Sequence, residues 1–533
     1  MHPMLDQAIG QKAMLSFVGT ELPADFCKTL QRRHIGGVTL FRHNNLSNPA
    51  QVHELTTALQ HAAAESGQPP LLIAVDQEGG QLIAIDGGTT HFPGNMALGA
   101  TGSPDLAYAT GYALGSELAA MGINVNYAPC CDVNINPRNP VIGIRSFGED
   151  PAMVARLSAA MARGMQAAGV AATAKHFPGH GDTESDTHEG VVAVPHSRDQ
   201  LRAVELPPFA AAIEAGVRLV MTAHVALPAF DEANLPATLS RCVLHGLLRE
   251  ELGFDGIIIS DAMDMGAIAQ GQGVVIDAIA AFHAGIDLLL LKADDELFAA
   301  IHAGLLQAVE RRLLVAEEVQ SSAARVLALK RWIAEHQQPP MEIVGCAEHQ
   351  AIAQEIARRS VTLVRDEAKL LPLRLAPESR VAVIVPRPTD LTPADTSSYV
   401  ECSLAQAARR YHSAVDEYLV ASNPTASEID GLREQIGSYD LAIVGTINAL
   451  HQPGQVALMS MLRELGLPTV GVALRMPYDL LAFPTVPTYV CTYTILGPSM
   501  EALAATLWGQ APFCGKLPVT IPGLYALGHG LSL

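Results

Sequence analysis

The chain has 533 residues, which is too long for one small binding module and predicts about two to four domains. Hydrophobic residues make up 49% of it and charged residues 17%, so it can fill packed cores and has little material for extended disorder. Its formal net charge of -20 opposes binding to nucleic acid or to an anionic membrane surface. We therefore expect a globular protein without nucleic-acid or membrane partners.

The N-terminal segment MHPMLDQAIGQKAML lacks the basic region and uninterrupted apolar run of a signal peptide. Charged residues such as Asp287 and Lys292 interrupt the later apolar stretches, so none reaches the roughly 20 residues that span a membrane. The cysteines show no C-x-x-C spacing, and the adjacent Cys130 and Cys131 are interpreted as core or turn residues rather than as a redox pair. These features predict a cytoplasmic protein.

Seven apolar runs of strand length recur in the first 300 residues. They are GGVTLF (36–41), LLIAV (71–75), INVNYAP (123–129), GVAATA (169–174), RLVMTA (218–223), DGIIIS (255–260) and GIDLLLL (285–291). Alanine-rich segments of helical length lie between several of them, and one begins after Ser103, a typical N-cap residue. Continuous apolar runs are typical of buried parallel strands. The alternation predicts an α/β fold with a (β/α)8 TIM-type barrel over residues 1–334.

The pattern changes near Pro339 and Pro340, which predicts a linker over residues 335–345. Four further strand-length runs follow it: RVAVIVP (380–386), DLAIVGT (440–446), PTVGVAL (468–474) and PTYVCTY (487–493). Helical segments separate these runs. Residues 346–533 are therefore predicted to form a C-terminal α/β sandwich, an open doubly wound sheet, with few candidate catalytic residues.

Polar side chains that could take part in catalysis follow the predicted barrel strands directly. They are Asp76, Asp132, Lys175, His176, His224 and Asp261. A barrel gathers the carboxyl ends of its strands around one opening, so these side chains are expected to converge there. From its position alone, Asp261 could be a nucleophile, a base or the cap of the following helix. His224 is interpreted as a packing residue beside the opening.

The most polar segment is KHFPGHGDTESDTHEG (175–190), which prolines and glycines make a loop. His176, His180 and His188 could in principle bind zinc. However, Pro178 and Gly179 prevent a helical metal-binding face, and no H-E-x-x-H pattern or cysteine partner is present. We therefore expect no metal.

Several motifs together resemble glycoside hydrolase family 3, in its bacterial β-N-acetylglucosaminidase branch: KHFPGHGDTESDTHEG, SDAMDM, VDQEGG, FPGNMALGAT, APCCDVN and IRSFGEDP. The resemblance covers about residues 10–330, and SVTLVRD (360–366) and GKLPVTIP (515–522) extend it to the second domain. It implies an exo-acting, retaining enzyme that hydrolyses terminal β-linked N-acetylglucosamine through a covalent glycosyl-enzyme, without a cofactor.

The resemblance also implies residue roles. Asp261 matches the family nucleophile, and His188, held by Asp186, matches the acid/base. A histidine with a pKa near its usual 6.5 can give and take a proton at neutral pH. Four residues match the positions that hold the innermost sugar: Asp76, Arg145, Lys175 and His176.

Two departures leave the exact sugar open, because Gln81 and Ala84 stand where the cell-wall-recycling enzymes of this branch carry arginines. A cation expected near the sugar is therefore missing from these positions. A β-glucosidase or β-xylosidase, a glycoside phosphorylase and a non-catalytic sugar-binding protein remain alternatives. A neutral histidine repels phosphate less than a carboxylate does, which keeps the phosphorylase open. Either a monomer or a homodimer fits the sequence.

Overall fold

The computed structural model describes residues 3–183, 192–263, 265, 268, 273–292 and 294–533. Its strands before residue 300 are β1 (Ala13–Leu15), β2 (Gly37–Thr39), β3 (Leu72–Val75), β4 (Gln77–Gly79), β5 (Leu82–Ile83), β6 (Val125–Asn126), β7 (Ala171–Phe177), β8 (Val192–Ala193), β9 (Leu219–Thr222), β10 (Val225–Ala226), β11 (Ile257–Ser260) and β12 (Leu289–Leu290). Eight of them form a parallel sheet in the order β11-β9-β7-β6-β3-β2-β1-β12. A parallel bridge between Ile259 and Leu288 joins its two ends, so the predicted barrel is confirmed.

Helices follow most of these strands and surround the barrel. They are α1 (Pro3–Gly10), α2 (Ala24–Arg33), α3 (Arg42–Asn45), α4 (Pro49–Glu65), α5 (Asn95–Thr101), α6 (Pro104–Ala120), α7 (Pro151–Ala167), α8 (Arg198–Val204), α9 (Leu206–Glu214), α10 (Val274–Ala284), α11 (Asp295–Glu310) and α12 (Ala316–Ala334). Ser103 caps α6 as predicted, because its hydroxyl accepts a hydrogen bond from the Leu106 amide at 3.4 Å. None of the described helices is long and apolar enough to cross a membrane.

The barrel strands are buried on both faces. In β3, Leu72 and Ala74 belong to the cluster that fills the barrel, whereas Ile73 and Val75 belong to the core between strands and helices. Side chains of a strand alternate between its two faces, so burial of both faces makes the whole run apolar. This is why the apolar runs in the sequence locate the strands.

The C-terminal part contains a second sheet. Its strands are β13 (Thr362–Asp366), β14 (Val381–Pro386), β15 (Val415–Val420), β16 (Leu441–Thr446), β17 (Thr469–Ala473) and β18 (Thr488–Cys491), and its helices are α13 (Ala347–Ser360), α14 (Leu404–Ala408), α15 (Ala426–Ile436), α16 (Pro453–Glu464) and α17 (Gly497–Leu507). The strand order is β13-β18-β17-β16-β14-β15, and all pairs are parallel except β13 with β18. The order reverses direction at β14, as expected for a doubly wound sheet.

Hydrogen bonds join this second unit to the barrel. The buried carboxylate of Glu117 on α6 accepts from the Gly345 amide at 3.1 Å and contacts His349 Nδ1 on α13 at 2.9 Å. The Asn134 amide donates to the Tyr478 hydroxyl at 3.3 Å. The two units therefore share a polar interface close to the barrel opening.

Candidate active site

The carboxyl ends of the barrel strands surround a cavity of about 660 Å³. Five of the predicted site residues line it: Asp76, Arg145, Lys175, His176 and Asp261. Asp76 and Asp261 directly follow β3 and β11, and Arg145 lies in the loop after β6. Lys175 and His176, which the sequence placed after a strand, lie near the carboxyl end of β7 itself. In the chain, 185 residues separate Asp76 from Asp261. The barrel thus brings them together as the sequence predicted.

Asp76 and Lys175 belong to a buried cluster of four charges. Lys175 Nζ lies 2.6 Å from Asp76 Oδ1 and 2.6 Å from Glu78 Oε1. Arg145 donates two hydrogen bonds to the carboxylate of the same Glu78, one from Nη2 at 2.8 Å and one from Nε at 3.0 Å. Two cations and two carboxylates balance each other, which lets these charges remain buried. Asp76, whose side chain is 27% exposed, is the most open member of the cluster.

The pKa values follow from this balance. Burial alone would raise the pKa of Glu78, but the charges and hydrogen bonds of Arg145 and Lys175 outweigh it and lower the pKa to about 2. Burial opposes the charge on Lys175, yet Asp76 and Glu78 raise its pKa above the usual value. These shifts favour the charged forms of Glu78 and Lys175, and the N–H groups and carboxylate oxygens of the cluster can form strong hydrogen bonds to sugar hydroxyls.

The hairpin of β4 and β5 positions Glu78. The Asn126 side chain on β6 holds the hairpin by two hydrogen bonds to the backbone of Gln77. Asn126 Oδ1 accepts from the Gln77 amide at 2.9 Å, and Asn126 Nδ2 donates to the Gln77 carbonyl at 2.9 Å. The turn of the hairpin runs through Gly80 at φ +64°, and a Cβ there would lie 3.1 Å from the Gly94 Cα. Only glycine accommodates both the conformation and the close approach. The GG pair after Glu78 is thus required by the backbone.

Asp132 orients His176. Its Oδ2 lies 2.8 Å from His176 Nδ1, and its Oδ1 accepts from the His180 amide at 2.8 Å. Burial would raise the pKa of Asp132, but His176 outweighs it and the pKa falls well below the usual value. An ionised Asp132 accepts a hydrogen bond from Nδ1–H of His176. The other ring nitrogen of His176, Nε2, then faces Arg145 Nη2, 3.4 Å away.

The sequence predicts no functional role for Glu78 or Asp132, although both hold site residues in place. Glu78 lies three residues past the end of β3, inside a hairpin without an apolar run. Asp132 was noted only as a polar residue after a strand. The signal that could have found both is the need to neutralise Arg145 and Lys175 and to give His176 a hydrogen-bond partner, because buried charges and buried polar groups require partners.

Asp261 lies directly after β11, on the cavity wall. Its Oδ1 accepts a hydrogen bond from the Ala262 amide at 2.8 Å. The predicted acid/base residues Asp186 and His188 lie outside the described residues. His224 is fully buried, with Nδ1 2.8 Å from the Thr238 hydroxyl and Nε2 3.0 Å from the Ala262 carbonyl. It packs behind the cavity wall next to Asp261.

A group that could hold a metal ion lies behind the cavity. The donor atoms of Cys130, Asp132 and His176 lie within 4.8 Å of one another. However, the Cys130 thiol donates to Asp132 at 3.0 Å, and burial and Asp132 raise its pKa well above the usual value. A metal prefers the thiolate, whereas here the thiol keeps its proton and serves as a hydrogen-bond donor. These residues do not fit a metal site.

Glu205 is a buried carboxyl beside the segment that follows β7. Both of its carboxyl oxygens lack a hydrogen-bond partner in the described parts of the chain. Its side chain contacts Gly179, where a Cβ would lie 2.3 Å from Glu205 Oε2. Burial, together with the negative charges of Asp132 and Asp182, raises the pKa of Glu205 well above the usual value. The Glu205 carboxyl therefore keeps its proton to a higher pH than an exposed glutamate does.

The C-terminal unit contributes to the cavity wall through Pro393, Ala394 and Thr396. Gln81, which stands at one of the two positions where the sequence lacks the expected arginine, binds this unit directly. Its Nε2 donates to the Ala394 carbonyl at 3.1 Å, and its Oε1 accepts from the Arg475 guanidinium. A cation from the second unit thus lies beside Gln81.

Comparisons with known proteins agree with this architecture. Residues 4–329 match the family model described as the glycosyl hydrolase family 3 N-terminal domain. Beta-hexosaminidase A of Pseudoalteromonas piscicida is 34% identical over 97% of this chain and 96% of its own, and the beta-N-acetylglucosaminidase/beta-glucosidase of Cellulomonas fimi is 32% identical over 91% and 88%. The solved structure of a glycoside hydrolase family 3 beta-N-acetylglucosaminidase from Paenibacillus sp. str. FPU-7 is 40% identical, with a TM-score of 0.92 over 97% of this chain and 99% of that one.

Proposed function

Because the chain belongs to glycosyl hydrolase family 3, we propose that it is an exo-acting, retaining β-N-acetylglucosaminidase that hydrolyses terminal β-linked N-acetylglucosamine. The observation that carries this proposal is the position of Asp261 on the wall of the same cavity as Asp76, Lys175 and Arg145. The full-length relatives whose names include hexosaminidase or N-acetylglucosaminidase support the choice of sugar.

In the proposed reaction, Asp76 and Lys175 hold the hydroxyls of the terminal sugar. Asp261 attacks the anomeric carbon and forms an ester with it, while the glycosidic C–O bond breaks and His188 protonates the departing oxygen. Water then attacks the ester, His188 takes its proton, and the Asp261 carboxylate is released. Asp186 stabilises the imidazolium. The roles of Asp186 and His188 rest on the family resemblance.

A second activity, β-glucosidase, is favoured by one observation: the relative from Cellulomonas fimi carries both activities in its name. The two substrates differ only in the group at the sugar's 2-position, so the described cluster around Lys175 would hold their common hydroxyls equally well. Phosphate could also replace water in the second step, because a neutral histidine does not repel it as a carboxylate would.

Steady-state rates on paired p-nitrophenyl β-N-acetylglucosaminide and β-glucoside, each with and without phosphate, test the proposal. We expect the N-acetylglucosaminide to have the higher kcat/KM and to release the β-anomer first in NMR. Asp261→Asn should lower turnover by several orders of magnitude, because an amide cannot form the glycosyl ester. Asp255→Asn, an exposed change just before the same strand, is the matched control.

Four results would contradict it. A glucoside preferred over the N-acetylglucosaminide would change the sugar, and a product that appears first as the α-anomer would exclude retention. Near-normal activity of Asp261→Asn would move the nucleophile elsewhere. Release of a sugar phosphate would identify a phosphorylase.

A further inference from the structure

The cavity has a buried end and an open end. The buried lining includes Tyr127, Arg145, Lys175, His176 and His180, whereas the exposed lining includes Val18, His43, Lys292 and Pro393. An enzyme that removes one terminal sugar holds that sugar at the closed end, beside the charged cluster. The rest of the substrate, the aglycone, must then leave through the open end. This step rests on the proposed function.

We propose that Arg42 and residues 393–399 of the C-terminal unit form the aglycone subsite, and that this subsite selects a second sugar ring. Arg42 comes from α3, after the second barrel strand, and lines the cavity. The 393–399 segment lies next to Arg42, lines the cavity through Pro393, Ala394 and Thr396, and ends in the single turn that carries Tyr399. Substrate selection beyond the first sugar is thus shared between the two units of the chain.

The 393–399 segment is held in place before any ligand binds. The Thr396 amide donates to the Gln81 carbonyl at 2.9 Å, and the Thr396 hydroxyl accepts from the Ile83 amide at 3.0 Å. The buried Asp395 carboxylate lies 2.7 Å from Arg475 Nη1. A wall that is already ordered costs little conformational entropy on binding, which favours affinity for the aglycone.

Arg42 is oriented just as firmly. Its Nη1 donates to the Ile83 carbonyl at 2.9 Å, and its Nη2 lies 3.2 Å from Asp86 Oδ2. A guanidinium has five N–H donors, and these contacts with described residues use two of them. Its remaining N–H groups can donate to the hydroxyls of a bound ring.

Tyr399 supplies the apolar part of the subsite. One face of its ring covers the Arg42 guanidinium, 4.2 Å from the ring centroid. The residue is nevertheless 55% exposed, so the ring keeps surface open to solvent beside Arg42, which lines the cavity. An exposed aromatic face beside oriented donors suits a pyranose, whose C–H face stacks on a ring while its hydroxyls accept hydrogen bonds.

The test compares two substrates that differ only in the aglycone: the β-1,4-linked disaccharide of N-acetylglucosamine, whose aglycone is a sugar, and methyl β-N-acetylglucosaminide, whose aglycone is a methyl group. Tyr399→Ala should lower kcat/KM on the disaccharide by about tenfold, the value of a lost stacking contact. It should leave kcat/KM on the methyl glycoside and inhibition by free N-acetylglucosamine unchanged, because both occupy only the buried end. Tyr399→Phe should retain the wild-type ratio.

Tyr411→Ala is the matched control, since Tyr411 is also partly exposed on the C-terminal unit but stacks on Trp508 away from the cavity lining. Arg42→Gln gives an independent variant and should also lower the disaccharide-to-methyl ratio. An unchanged ratio in Tyr399→Ala, or equal losses on both substrates, would overturn the subsite while the proposed function stands. A wild-type protein inactive on both substrates would overturn both proposals.

Discussion

Glu78 offers the sharpest test of the charged cluster. Glu78→Gln preserves the size of the side chain but leaves Arg145 and Lys175 buried with only Asp76 to neutralise them. The gap between a usual pKa of 4.5 and one of about 2 corresponds to about 3 kcal/mol. Breaking a buried ion pair costs about 3–5 kcal/mol by comparison. We therefore expect the free energy of unfolding to fall by about 3 kcal/mol or more, with a loss of sugar binding.

The loss should depend on pH. Folding lowers the pKa of Glu78, so its carboxylate stabilises the fold fully above pH 4.5 and loses this effect as the pH falls toward 2. The difference between wild type and Glu78→Gln should thus be largest at neutral pH and shrink below about pH 4.5. Urea unfolding followed by fluorescence measures it, because Trp332 lies on the barrel helix α12 and reports on this unit.

Two further variants complete this test. Asp25→Asn removes an ion pair of similar length, 2.6 Å to Lys28, but at an exposed site, so no measurable change is expected. In the double variant Glu78→Gln/Lys175→Met one cation leaves with the carboxylate, so its loss should be smaller than the sum of the single losses. A pH-independent loss, strictly additive effects or an unchanged urea midpoint would refute the electrostatic account.

Three other predictions concern neighbouring groups. Asp132→Asn removes the charge that orients His176, so kcat/KM should fall by about 100-fold or more while circular dichroism stays unchanged. Folding raises the pKa of the Glu205 carboxyl, so above its usual pKa this group takes up a proton when the protein folds, which opposes folding. Glu205→Gln removes this cost and should stabilise the protein at about pH 7 to 8. Thermal unfolding should show that the gain in stability vanishes below about pH 4.5. His188→Ala should lose most of its rate on a disaccharide but keep much of it on a dinitrophenyl glycoside, and azide should restore turnover.

The barrel could be predicted because its strands are buried on both faces. Each of the seven predicted runs overlaps an observed strand, although β7 extends three residues past its run to Phe177, and β1 was missed. It has three residues, and the polar Gln11 and Lys12 come directly before it. Lys12 is nevertheless buried, with its Nζ donating to the Ile286 carbonyl at 2.8 Å. Only the folded barrel supplies that partner, so no local pattern could show that a lysine belongs there.

In the C-terminal sheet, the two strands at the edges could not be predicted from local sequence either. β14, β16, β17 and β18 were predicted from their apolar runs, whereas β13 and β15 were not. β15 lies at an edge of the sheet, and Asp416, Glu417 and Leu419 on it are exposed. A strand with one neighbour and a solvated face needs few apolar residues, so its sequence resembles a loop.

In the site, residues that directly follow a strand could be predicted, because the barrel topology alone brings them together. Asp76 and Asp261 are of this kind, and Lys175 and His176 reach the same cavity from the carboxyl end of β7, which extends past the apolar run that predicted it. Glu78 could not be placed in this way, since its role comes from the two cations it neutralises, and Arg145 is 67 residues away in the chain. Partner choice in a buried charge cluster is a tertiary property.

The second unit presents the opposite problem, because few candidate catalytic residues follow its strands and the sequence leaves its role open. Its contribution comes from the 393–399 segment, which reaches the barrel by binding Gln81, 313 residues earlier. The contact with Gln81 also bears on the two positions, 81 and 84, where the sequence lacks the arginines of the cell-wall-recycling enzymes. Arg475 donates to Gln81, and Arg42 donates to the Ile83 carbonyl next to Ala84. Cations from distant segments thus lie beside the two positions where local sequence has none, so a substitution within a motif does not by itself remove a charge from a site.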